Sequence, residues 1–339
     1  MKVLVATDAW HPQVNGVVRT LSTVGALAAE RGIVFDFVSP NDFRTIPLPS
    51  YPEIPLALPS KRIIRDRIAA FKPDAIHVAT EGSIGFFARS VCIEQGLPFT
   101  TSYTTKFPEY IAKRFRVPVS WSYTVLRRFH NRGERVMVAT KSLELELQTR
   151  GFENLVRWGR GVDTELFTPE DPVALDLPRP IFMSMGRVAI EKNLEAFLSL
   201  DLPGSKVVIG KGPDKAFLEK KYPDAHFLGE KVGKELARHL AAADVFVFPS
   251  KTDTFGNTQQ EALACGVPVA AFPVTGPLDL LEDSGVGALH EDLQQACLAA
   301  LEIDKSGCRA FALERTWDKS LNQFLDNLAP LAKFVGRPS

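Results

Sequence analysis

Residues 2–38 read KVLVATDAWHPQVNGVVRTLSTVGALAAERGIVFDFV. Lys2–Thr7 is a short β-rich run, and a loop carrying Pro12 and Gly16 follows it. Val17, Leu21, Val24 and Ala28 then recur at helical spacing up to Gly32, where a second apolar run, Ile33–Val38, begins at once. Strand, helix, strand in so short a stretch is a βαβ unit, in which the second strand lies parallel to the first behind a right-handed crossover.

The same alternation continues outward. Ala75–Ala79, a helix over about Gly85–Gln95 and Pro98–Ser102 extend it, so the first half reads as a doubly wound parallel sheet. Between these units the prolines at 47, 49, 52, 55 and 59 exclude a helix interior or a central strand, which makes residues 46–59 a surface excursion. A second series starts at Ile181–Met185 and runs through Lys206–Ile209, Ala225–Leu228, Val245–Phe248 and Val267–Ala271. Prolines 169, 172, 178 and 180 punctuate the junction. The expected division is residues 1–165 and 166–317, with 318–339, from the amphipathic stretch Trp317–Leu331, packing back on the first domain.

Composition agrees with two folded domains. The 339 residues are 45% hydrophobic and 24% charged, ordinary soluble usage with enough length for two cores. The 40 basic and 40 acidic side chains cancel, which removes general attraction to nucleic acid. They are unevenly placed: residues 1–160 hold 22 basic and 14 acidic groups, and the remainder 18 and 26. Cys92, Cys265, Cys297 and Cys308 have neither CxxC nor zinc spacing and read as isolated buried thiols of a reducing compartment. The N-terminal apolar stretch is too short for a signal-peptide core or a membrane span, so a cytoplasmic location is expected, with surface attachment to a membrane left open.

Open parallel sheets bind ligands beyond the carboxyl ends of their strands. Three places in the second half put glycine or charge there. In GRVAIEKN, Gly186 and Arg187 leave a strand and Lys192 starts the next helix, so two cations and helix-terminal N–H groups could converge on a diphosphate. Gly210-Lys211-Gly212-Pro213 is a tight turn that could admit a flat base; it lacks the third glycine of a dinucleotide fingerprint. In SKTDTFGNTQQEALACGVPVA, Asp253 and Gly256 occupy a turn after a strand, backbone near Phe255 and Gly256 borders it, and Glu261 falls on the next helix. The two carboxylates suit sugar hydroxyls, or serve as caps and surface groups. Gly16 sits where the first strand turns into its helix and could let backbone approach an anion. His11, His77 and His130 are either acid/base groups or packed and capping residues. The chain has no Asp-x-Asp, HExxH, GxSxG or GxxxxGK[ST], which disfavours metal-dependent sugar transfer, zinc hydrolysis, serine hydrolysis and P-loop chemistry.

Together, DAWHPQVNGVVRTL, GFENLVRWGRGVDTELFTP, GRVAIEKN and TDTFGNTQQEALACGVPV resemble, in order and spacing, the retaining glycosyltransferases of family 4. The resemblance spans nearly the whole chain and is nearest to the diacylglycerol glycosyltransferases (glucuronosyl, glucosyl, sulfoquinovosyl) and lipid mannosyltransferases. It implies the GT-B architecture, two facing Rossmann-like α/β domains, and a nucleotide-sugar donor with no metal cofactor. Arg187 and Lys192 would hold the donor diphosphate and neutralise the leaving charge. Glu261 would bind the ribose and Asp253 the transferred sugar, Phe255, Gly256 and Asn257 would meet the sugar through backbone, Gly16 the phosphate and Gly212 the neighbourhood of the base, with Gly186 also among the substrate-binding residues.

Two departures stand out. Asp253 replaces the usual glutamate, one methylene shorter. Where relatives read SYHTNFP, this chain reads Ser102-Tyr103-Thr104-Thr105-Lys106-Phe107-Pro108, with Thr104 and Lys106 at the His and Asn positions. Lys106 would place a cation near the sugar's C6 and favour UDP-glucuronate over UDP-glucose, through a contact worth about 1.5 to 3 kcal/mol. From Lys106 to Arg135, eight basic residues against two acids interleave with Phe107, Tyr110, Phe115, Trp121, Tyr123 and Phe129. That pattern suits an anionic membrane surface carrying a lipid acceptor such as diacylglycerol, or a solvated helix face over core aromatics. A GDP-mannose donor and a catalytically silent nucleotide-sugar-binding protein are the alternatives.

Overall fold

The computed structural model describes every residue except 14, 49, 50, 107–117, 254 and 332–339, with backbone only at 48 and 51–55. Of the membrane-facing stretch expected over 106–135, Phe107, Tyr110 and Phe115 therefore lie outside the described residues. The chain divides into two compact units, one holding Met1–Gly159 and the segment from Asp318 onward, the other Arg160–Trp317.

The first unit is built on β1 (Lys2–Ala6), β2 (Val34–Val38), β5 (Ala75–Val78), β6 (Thr100–Tyr103), β7 (Arg135–Val138) and β8 (Leu155–Arg157). All pair in parallel, in the order β2-β1-β5-β6-β7-β8. The expected helix forms at Gly16–Glu30, capped by the Asn15 side chain. Its buried stripe is Val18, Leu21, Val24 and Ala28, one position off the expected Val17 at its start. The proline-rich excursion forms β3 (Arg44–Leu48) and β4 (Tyr51–Leu58), a separate antiparallel ribbon in which Pro47 faces Pro55. Two residues without N–H groups can face each other there because no further strand extends the pair. The helix Trp317–Asn327 returns to this unit. Its Phe324 is fully buried with ring centroids 4.8 Å from Trp158 and 5.0 Å from His77, and the Trp158 indole N–H donates to the Ser320 carbonyl at 3.2 Å.

The second unit carries β9 (Ile181–Met185), β10 (Ser205–Ile209), β11 (His226–Phe227), β12 (Val245–Phe248), β13 (Val269–Ala271) and β14 (Gly287–Leu289), again all parallel, ordered β11-β10-β9-β12-β13-β14. Helices cover both faces: Ile181, Met183, Val207, Ile209 and Phe246 pack in one core layer, Phe182, Val208, Val245 and Val247 in the other. That double burial explains strands that read as unbroken apolar runs. β13 starts at Val269, later than expected, because Pro268 ahead of it has no N–H to pair. β7, β8 and β14 were not anticipated. All four cysteines are buried and unpaired, and burial pushes the thiols of Cys92, Cys265 and Cys297 up to about 12 and that of Cys308 to about 11, which keeps them inert.

Candidate functional site

Strand order locates the site before any side chain is consulted. In the second unit the order reverses between β9 and β12, and an α/β sheet opens a crevice at its carboxyl edge where neighbouring connections leave in opposite directions. The loop after β9 carries Gly186, Arg187 and Lys192; the loop after β12 carries Asp253, Phe255 and Gly256. Lys192 ends a short 3-10 turn, Ile190–Lys192, and the helix begins only at Leu194. Its ammonium lies 2.7 and 2.8 Å from the two carboxylate oxygens of Asp253. The loops are also sewn together: Asn193 Nδ2 donates to the Pro249 carbonyl at 3.0 Å, and the Ser250 and Thr252 hydroxyls donate to the Glu191 carbonyl at 3.3 and 3.4 Å. Arg187 is half-buried on the same loop.

The glycines have definite structural reasons. A Cβ on Gly210 would stand 1.8 Å from the Gly186 carbonyl, and one on Gly212 would stand 2.2 Å from that of Val188. The Val188 N–H donates to the Lys211 carbonyl at 2.9 Å, so the two loops run in backbone contact and side chains at 210 and 212 would force them apart. Gly212 thus serves loop packing beside any role near a base. Gly256, at φ +79°, caps the helix Asn257–Ala264, and a Cβ there would stand 2.5 Å from the Phe248 ring. Phe255 and Asn257 flank it, half-buried. Glu261 lies one turn into that helix and is 3% exposed. Gln259 and Gln260 beside it are also buried, their amide N–H groups donating to the carbonyls of Phe255 at 2.9 Å and Arg160 at 3.3 Å. The second unit therefore brings Arg187, Lys192, Asp253, Phe255 and Gly256 onto two adjoining loops, with Asn257 and Glu261 on the helix that the second loop leads into.

In the first unit the order reverses between β1 and β5. That switch point holds Asp8, which the sequence reading passed over. Its carboxylate accepts from the backbone N–H of Ile84 at 2.8 Å and of Gly85 at 3.2 Å, and from the hydroxyls of Thr80 at 2.9 Å and Ser83 at 3.3 Å. It caps the helix Ser83–Glu94, while burial, outweighing these donors, raises its pKa above the ordinary value. An acid directly after a leading strand was the available signal. Gly16 begins its helix as expected, but Asn15 Oδ1 already accepts from the N–H groups of Val17 and Val18, both at 3.0 Å, so two donors that an anion would use are taken.

Thr104 and Lys106 follow β6 directly. Lys106 does not project an uncompensated charge: it is 8% exposed and donates to Glu146 at 2.7 Å. Glu146 also accepts from Arg150 at 3.1 Å and the Tyr123 hydroxyl at 3.4 Å, and its pKa stays below normal because these donors, led by Lys106, outweigh burial. His77 and His130 are fully buried, the first between Thr100 and Ser102, the second between Thr101 and Glu81, and so prove to be packed groups. His11 is exposed beside Ser22. On the helix Val119–His130, Trp121 is 64% exposed and Arg127 and Arg128 are exposed, whereas Tyr123 and Phe129 belong to the core. Among the described residues no three His, Cys, Asp or Glu side chains gather as a metal site, and no helix is long and apolar enough to cross a membrane.

Solved structures share this architecture almost end to end. Sucrose-phosphate synthase from Thermosynechococcus elongatus superposes with a TM-score of 0.75 at 20% identity, over 96% of this chain and 97% of that one. Anabaena HepE in complex with UDP and glucose gives 0.70 at 14%, over 96% and 98%. The fold is that of a GT-B glycosyltransferase. Residues 14–166 match the model of Glycosyltransferase Family 4 and residues 179–303 that of glycosyl transferases group 1. The GDP-mannose-dependent alpha-mannosyltransferase of Mycolicibacterium smegmatis is 30% identical over 85% of this chain and 84% of its own. Sulfoquinovosyl transferase SQD2 of Arabidopsis thaliana is 33% identical over 72% of this chain and 51% of its own, and the alpha-monoglucosyldiacylglycerol synthase of Streptococcus pneumoniae 26% over 89% and 78%. The chain belongs to glycosyltransferase family 4, and it is a glycosyltransferase.

Proposed function

We propose that this enzyme moves a hexosyl group from a nucleotide sugar to a membrane lipid, diacylglycerol being the favoured acceptor, with retention of configuration and without a metal. The observation that carries the donor half is the junction of two loops at one switch point, which puts Arg187, Lys192 and Asp253 on adjoining turns. Arg187 and Lys192 would take the diphosphate and stabilise the charge that grows as the nucleotide leaves, the work a metal performs elsewhere. Asp253 would orient the sugar, and Glu261 the ribose. No side chain is assigned as a covalent nucleophile; the departing diphosphate would draw the proton from the acceptor hydroxyl on the same face.

The acceptor half rests on the lipid-directed names among the relatives and on the exposed Trp121, Arg127 and Arg128, which would sit on an anionic leaflet at the inner face of the cell membrane. A UDP-sugar is the favoured donor. Because Lys106 is already paired with Glu146, a neutral hexose fits better than a uronate. The mannosyltransferase relatives favour GDP-mannose as a second reading. Purified enzyme offered UDP-glucose, UDP-galactose, UDP-glucuronate or GDP-mannose with vesicles containing diacylglycerol should form one glycolipid, resolved by mass. Free sugar alone, or product only with a soluble acceptor, would overturn the lipid assignment.

A further inference from the structure

The ion pair between Lys192 and Asp253 joins two residues that the proposed function assigns to different parts of the donor. Asp253 holds the lysine with both oxygens, at 2.7 and 2.8 Å. The side chains are 29% and 18% exposed, so neither is sealed in. An ammonium is a compact charge with three donors, and a diphosphate brought to Lys192 would meet the Asp253 carboxylate as a like charge at contact distance. The two anions compete for one cation.

We propose that Asp253 is a gate on the donor site: the diphosphate displaces its carboxylate from Lys192, and the displaced carboxylate then accepts hydrogen bonds from the hydroxyls of the sugar. This rests on the donor reading above and deepens it. A nucleoside diphosphate alone leaves the displaced carboxylate without its cation, whereas a nucleotide sugar offers that carboxylate its hydroxyls. The pair would thereby discriminate substrate from product and help the spent nucleotide leave.

The test is a double-mutant cycle read by calorimetric binding of UDP and GDP to the whole enzyme. Asp253→Asn should tighten binding of the recognised nucleoside diphosphate about fivefold, by removing the competitor, while lowering turnover and narrowing the preference for nucleotide sugar over nucleotide. Asp253→Glu, which keeps the charge, should bind the diphosphate as the wild type does. In a Lys192→Met background Asp253→Asn should change affinity less than about twofold. Unchanged or weaker binding by Asp253→Asn alone would overturn the gate. So would an equal gain in the Lys192→Met background, which would mark simple removal of negative charge. Thermal unfolding of each variant guards against misfolding. The expected coupling without transfer from any nucleotide sugar would sink the proposed function and leave the gate standing.

Discussion

The two units contain the same topological feature and treat it differently. In the first, the switch point between β1 and β5 is filled by Asp8, whose carboxylate takes two backbone and two hydroxyl hydrogen bonds from a single stretch, Thr80–Gly85. In the second, the switch point between β9 and β12 holds the Asp253 carboxylate by an ion pair to Lys192, both side chains reaching solvent, while Asn193, Ser250 and Thr252 tie the two loops through backbone carbonyls. A carboxylate with four donors beneath a helix is a permanent cap. A partly exposed pair is worth little in stability and can be exchanged for a ligand. Topology thus nominates two crevices, and the way the carboxylate in each is held, by backbone and hydroxyl donors of one stretch or by a single lysine, tells which one is spent on structure.

A second pair repeats the lesson inside the first unit. Lys106 and Glu146 look like Lys192 and Asp253, with the same 2.7 Å separation. Yet the Lys106 side chain is 10% exposed against 29%, and Glu146 has Arg150 and Tyr123 as further donors, with the Arg150 guanidinium 3.9 Å above the Tyr123 ring. That is a structural knot tying β6 to the helices after it.

The contrast can be broken first at Asp8. Replacing it with Ala strands several donors and uncaps a helix, and should lower unfolding free energy by about 3 kcal/mol. The equivalent loss at the other switch point, Asp253→Asn, should stay within about 0.5 kcal/mol. Urea titrations of both variants would invert the argument if their order were reversed. Next in size, Lys192→Ala should reduce kcat/KM for transfer by about a hundredfold, roughly 2.7 kcal/mol, with little change in Tm. A large fall in Tm with near-normal turnover would make Lys192 the structural residue.

The smallest effects concern pH, and here two carboxylates of the first unit, Asp8 and Glu146, should slope in opposite senses. Asp8 has a folded pKa above its ordinary 3.8, so the folded chain binds the extra proton and stability declines as pH rises from about 3.8 through the raised value. Glu146 has a folded pKa below its ordinary 4.5, so its contribution is complete above 4.5 and is lost as pH falls below it. In urea midpoints measured between pH 3 and 6, Asp8→Asn should remove the first slope and Glu146→Gln the second. The same slope surviving either substitution would assign it to another group.

Much of this was legible in the chain. Alternating apolar runs and helical stripes announced the doubly wound sheets because those periods are properties of the backbone itself. Gly186, Gly210 and Gly256 stood out for the same reason: their φ values of +147°, +146° and +79° are ones other residues avoid, so glycine marks the turns. The strands β8 and β14 went unread because their segments, LVR and GAL, are broken by a charge and a glycine, and pairing with a neighbouring strand makes them strands. Asp8 went unread because its partners lie more than 70 residues along the chain.

The sequence alone determined the class of fold, the number of units and the loops that carry charge, since local periodicity and turn chemistry are decided within a few residues. Only the tertiary structure decided which strands are neighbours. From that order follow the positions of the two switch points, the spending of Asp8 on a helix cap, the burial of Lys106 against Glu146, and the meeting of Lys192 with Asp253 across 61 residues. Electrostatic partnership depends on distance in space, and strand order, which no local pattern records, sets that distance.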